Sequence, residues 1–169
     1  MVKVYRLNET AAGGKQGLEL VVLVDRRASR LNKGALYARL REEIERSRRY
    51  QHFVSLLVIE VDGLEVSSNG DGVASEDIAR LILDSTRSVD IVAHYEDGQF
   101  ALILPETAED GAVCLAVRLK DHIECYLFDE AEERLAPRVR YGVASFPADA
   151  RLEPDLIRLA QERAKEMKS

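Results

Sequence analysis

The stretch FVSLLVIEVD, Phe53 to Asp62, is the segment that most limits what this chain can fold into. It is a near-continuous apolar run of strand length, without the alternation of a strand that shows one side to water. A strand of this kind is buried on both faces, so the sheet that holds it is covered on both sides. LELVVLVD (18–25) has the same character. VDIVAHY (89–95) alternates instead, with Val89, Ile91, Ala93 and Tyr95 on one side and Asp90, Val92 and His94 on the other. It is followed, across Asp97 and Gly98, by QFALILP. Asp-Gly between two such runs is a strong hairpin signal, because a tight two-residue turn needs positive φ. RVRYGVASFP (138–147) alternates likewise, and VKVYRL (2–7) reads as a weaker strand set off by NETAAGGKQG.

Helical periodicity fills the gaps. Leu36, Leu40 and Ile44 predict a helix over about 33–50, with Glu42–Arg46 and Glu45–Arg49 as exposed pairs. Ile78, Leu81 and Ile82 mark a second over about 76–87, with Ser75 as its N-cap. Val113, Ala116, Leu119 and Ile123 mark a third over about 108–127, opened by Thr107 and Asp110 in near capping-box spacing. Pro154 and Asp155 suit the first turn of a fourth. The order is strand, helix, strand, helix, hairpin, helix, strand, helix, which predicts one mixed sheet covered by helices.

A length of 169 residues suits a single domain with a sizeable core. The first residues lack the apolar core of a signal peptide and no apolar run is long enough to span a bilayer, so the chain reads as cytoplasmic, with no membrane partner. Cys114 and Cys125 share one helix face too far apart along the axis to bond, and read as reduced core thiols. A net charge of −6 argues against a nucleic-acid surface but leaves room for a small anionic ligand. His52, His94 and His122 have no metal-ligand spacing with the cysteines, and His94 reads as solvent-facing. Glu60, Asp62 and Asp77 allow two readings, a metal cluster or carboxylates that solvate a strand end and a helix start.

Laid along this order, the chain resembles the GGDEF family, the catalytic domain of diguanylate cyclases, over about residues 25–165. The family opening D-x-L-T-G-L-x-N-R is matched by DRRASRLNK, which keeps Asp25, Asn32 and Lys33. The end of the family's first core strand, D-x-D-x-F-K, is matched by EVDGLE, Glu60 to Glu65. The signature R-Y-G-G-D-E-F falls on HYEDGQF, and YGVASFP (141–147) is similar to the later G-V-A strand. The resemblance implies an α+β fold: a palm-like, mixed, mainly antiparallel sheet covered by helices, like that of nucleotidyl cyclases. Residues 1–24 would add extra N-terminal strands packed on a domain of residues 25–169.

The same comparison implies that the substrate turn is degenerate. Glu96 and Asp97 stand for the two glycines that admit the substrate phosphates, Gly98 for the acidic metal ligand, and Gln99 and Phe100 complete the signature. Two-metal phosphoryl transfer needs carboxylates at fixed positions. Glu60 and Asp77 remain as vestigial candidates, but Glu65 replaces the triphosphate lysine and Ser68 the guanine-reading asparagine. No cofactor or bound metal is expected. The family's product-inhibition site, R-x-x-D, is matched by Arg87 and Asp90, with Arg87 nine residues before Glu96 as the family register requires. Arg118 falls where the family takes a further arginine from the next helix.

Arginine forks pair with phosphate or with guanine O6 and N7, and a carboxylate accepts from the guanine N1–H. Arg87 at a helix end and Asp90 before a strand also have purely structural uses. The expected function is a catalytically inactive GGDEF-like domain that binds cyclic di-GMP, with a protein partner or homodimer. The alternative is an interaction or dimerisation module keeping only the fold, and an active cyclase comes last.

Overall fold

In β2 (Val54–Asp62) every residue from Val54 to Val61 is buried, and only Asp62 reaches solvent. Leu56 and Val58 point into one apolar cluster and Leu57, Ile59 and Val61 into the other, as the period of two in a strand dictates. The computed structural model describes residues 22–23, 33–62, 75–96, 98–130 and 138–167. Within them the order is β1 (Val22–Leu23), α1 (Lys33–Tyr50), β2, α2 (Ser75–Ser85), β3 (Ile91–Glu96), β4 (Gln99–Pro105), α3 (Glu109–Glu130), β5 (Arg138–Phe146) and α4 (Glu153–Glu166). The predicted order of strands and helices is therefore found. VKVYRL, most of LELVVLVD, Asp25, Asn32, Glu65, Ser68 and Asp97 lie outside the described residues.

The strands form one sheet in the order β1-β3-β4-β2-β5. Only the β1–β3 pair is parallel, and β3–β4, β4–β2 and β2–β5 are antiparallel. One face carries α1 and α4 through Leu36, Leu40, Ile44, Leu156, Ile157 and Ala160. The other carries α2 and α3 through Ile78, Ile82, Ala116, Leu119 and Ile123. This is the mixed, mainly antiparallel α+β sheet expected from the sequence. The approach of α4 is close because Gly142 has no side chain: a Cβ there would lie 2.0 Å from the Ala160 carbonyl oxygen and 2.5 Å from the Ala164 nitrogen.

Local expectations need correction in five places. Cys114 and Cys125 are exposed, not core, because the inward side of α3 is already supplied by Ala112, Ala116, Leu119 and Ile123. The Thr107 hydroxyl donates back to the Pro105 carbonyl at 2.9 Å, and the first turn of α3 is closed by the Ala112 N–H on Ala108, 3.0 Å. On α1 the ion pairs differ from those expected: Arg39 lies 2.9 Å from both Glu42 and Glu43, and Arg46 lies 3.8 Å from Glu43. Val89 precedes β3 and is exposed. His94 is half-buried and stacks on Phe100, its cross-strand neighbour, with ring centroids 4.9 Å apart. No helix of the described residues is long and apolar enough to cross a membrane.

Candidate functional site

The antiparallel registers of β2 with β4 and β5 set three polar residues side by side. Glu60 is opposite Gln99 on one side and Arg140 on the other. Residues directly opposite share a face, so their side chains meet. Gln99 Nε2 donates to Glu60 Oε1 at 3.2 Å, and Arg140 Nη2 lies 3.4 Å from Glu60 Oε2. The same Nη2 donates to Asp62 Oδ1 at 2.9 Å. Glu60 is buried, and its carboxylate is thus engaged from both neighbouring strands. One guanidinium bridges the two carboxylates that end β2.

The β3–β4 turn closes on this group. Gly98 has φ 71°, the left-handed region that favours glycine, and its carbonyl accepts the Val61 N–H at 2.8 Å. The ladder is irregular between His94 and Glu96, so the signature segment enters the turn through a bulge. Phe100 is fully buried among the residues that α2 and α3 cover. Glu60 shares the α1 and α4 side with Val58, two residues before it. Asp77 stands in the first turn of α2, which packs on the opposite face. Among the described residues no three His, Cys, Asp or Glu side chains come together to hold a metal.

A second polar group lies at the C-terminal end of α2. Thr86 donates its hydroxyl to the Leu83 carbonyl at 3.0 Å, ending the helix. The Arg87 N–H then donates to Asp90 Oδ2 at 2.8 Å, while the Asp90 N–H donates to the Arg87 carbonyl at 3.0 Å. These reciprocal bonds close the turn into β3, leaving Arg87 exposed and Asp90 buried. Burial raises the Asp90 carboxyl above its usual value, only partly countered by the Arg87 N–H and the Arg87 charge. Arg118 comes to the same place from α3, donating from Nη2 to the Ser85 carbonyl at 2.9 Å. Arg87 from the turn and Arg118 from α3 thus stand at one helix end whose acid is already in use.

Sequence reading missed Arg140. Its alternation with Arg138 along RVRYGVASF was visible, but its position opposite Glu60 is a matter of strand register, which no local pattern carries.

One mixed, mainly antiparallel sheet with helices on both faces, and acids ending an inner strand beside a hairpin turn, define the class as an α+β domain. More narrowly, the chain belongs to the GGDEF family: the family described as "Diguanylate cyclase, GGDEF domain" matches residues 22–169. The FimX GGDEF domain of Pseudomonas aeruginosa is similar with a TM-score of 0.70 at 18% identity, over 86% of this chain and 93% of that one. The active GGEEF domain of a diguanylate cyclase from Vibrio cholerae has a TM-score of 0.66 at 19% identity, over 85% and 90% of the two chains. The diguanylate cyclase SiaD of P. aeruginosa, solved in complex with its activator SiaC, has a TM-score of 0.65 at 22% identity, over 84% of this chain and 56% of that one. No curated protein sequence matches the chain.

Proposed function

We propose that this chain is a GGDEF domain without cyclase activity that binds cyclic di-GMP at the α2–β3 turn. The observation that carries the first half is the Arg140 guanidinium between Glu60 and Asp62, with Gln99 on the remaining side of Glu60. Transferring a phosphoryl group takes divalent cations held by acids at this strand end and turn. Here a side-chain cation already stands between those two acids and offsets part of their charge, and Gly98 offers the turn no carboxylate.

The second half rests on the gathering of Arg87 and Arg118 at the end of α2. Their guanidinium groups suit a doubly anionic ring carrying guanine edges, and Asp90 supplies the acceptor for a guanine N1–H. Isothermal calorimetry tests this reading. Wild type should bind cyclic di-GMP, Arg87→Ala should weaken binding at least about tenfold, which is about 1.4 kcal/mol, and Asp90→Asn should weaken it with the fold intact. Glu96→Ala should change little. Binding that survives both Arg87→Ala and Asp90→Asn means another site.

One observation favours a second reading. Asp90 is buried and spends an oxygen on its own turn, so the motif can serve structure alone. The chain would then be an interaction module, as the partner-bound state of SiaD illustrates for a related fold. Absence of any heat with wild type would leave that reading.

A further inference from the structure

Apart from the Arg118 bond to the Ser85 carbonyl, no hydrogen bond or ion pair joins the outward side of α3 to another described element, yet it is not the surface of a solvated helix. The inward side is filled by Ala112, Ala116, Leu119, Ile123 and Leu127. Outward stand Cys114, Val117, Arg118, Asp121, Cys125 and Phe128, with Val117 at 43% and Phe128 at 74% exposure. Cys114 and Cys125 are eleven residues apart, which at 3.6 residues per turn is within about 20° of three whole turns. They therefore share one line along the helix, roughly 16 Å apart.

We propose that this face is the interface of a homodimer, α3 against α3 of a second copy, antiparallel about a two-fold axis that passes between Leu119 and Lys120. Three features meet under that single operation. Cys114 falls beside Cys125 of the partner subunit, and two thiols in place of larger side chains let the helices approach. Arg118 falls beside Asp121 of the partner subunit, and the two-fold repeats the contact, so opposite charges face each other twice. Among the described residues Asp121 makes no ion pair, and Arg118 donates to the Ser85 carbonyl. Phe128 reaches the first turn of the partner helix at Gly111, an exposed residue with no side chain to obstruct the ring. A parallel pairing would instead set Arg118 against Arg118 and Asp121 against Asp121. An isologous contact requires this kind of self-complementarity, and an unrelated partner gives no reason for it.

The test uses the full chain without nucleotide, so its outcome is separate from that of the ligand reading. Light scattering under reducing conditions should give a dimer. A short bismaleimide should link wild type into dimers, while Cys114→Ser alone and Cys125→Ser alone should each link poorly, since like thiols are offset along the axis. Mixing the two variants should restore a linked species, with Cys125 of one copy joined to Cys114 of the other. Asp121→Arg should shift the protein to monomer, and adding Arg118→Asp should recover the dimer. A monomer at all concentrations up to the millimolar range, or single-cysteine variants that link as well as wild type, would overturn the proposal.

Discussion

Asp149 shows how a single carboxylate holds the turn between β5 and α4. It accepts from the Ser145 N–H at 2.8 Å and from both terminal nitrogens of Arg163, at 2.6 and 3.0 Å. Burial pushes its carboxyl up, but the hydrogen bonds from Arg163 and Ser145 and the Arg163 charge outweigh it, and the net shift is downward from 3.8. A depressed folded value means that the stabilisation is fully present above about pH 4 and is lost as the pH falls through the folded value. Asp149→Asn should therefore lower stability at pH 6 and reduce the further loss seen below pH 4 in urea titrations. An unchanged acid limb would contradict the assignment. At this scale the sequence was partly legible. Motif and register single out Arg87, Asp90 and Arg118, and in the structure Arg118 reaches the α2 end. The burial of Asp90 and the bridge from Arg140 to Glu60 depend on tertiary packing and strand register, which residue types alone do not encode.

Among the elements, β5 and α4 depend most on one position. At Gly142 an added methyl would meet the backbone of α4 and not the end of a flexible side chain, so relief would require the helix to move. Gly142→Ala should lower stability by about 3 kcal/mol or more, the upper range for overpacking, with loss of α4 amide protection in hydrogen exchange. A thermal midpoint equal to wild type would mean that α4 does not pack as described. The helices themselves were legible because apolar residues recur at three- and four-residue spacing, and α1 spans the residues 33–50 expected around Leu36, Leu40 and Ile44. Less legible was which side of a helix stays empty. The periodicity of α3 locates its inward stripe, but Cys114 and Cys125 are small and apolar, and composition alone sent them to the core.

For the whole molecule, one mixed sheet covered by helices was legible from the order of elements and its mainly antiparallel pairing from the resemblance, but the strand order β1-β3-β4-β2-β5 was not. The proposed ligand comes only from resemblance, because one fold supports many chemistries and function lies in the groups at its edge. Those groups divide into two sets here, the carboxylates of β2 tied to Arg140 and the arginines around the end of α2. On the proposed function, the second set binds a ligand while the first no longer runs the reaction. Parallel calorimetric titrations of the same protein with cyclic di-GMP and with GTP plus Mg²⁺, followed by chromatography of the GTP sample, test it most directly. The account predicts saturable binding of cyclic di-GMP, much weaker binding of GTP and no cyclic di-GMP formed. Cyclic di-GMP produced from GTP above a no-protein control would contradict it.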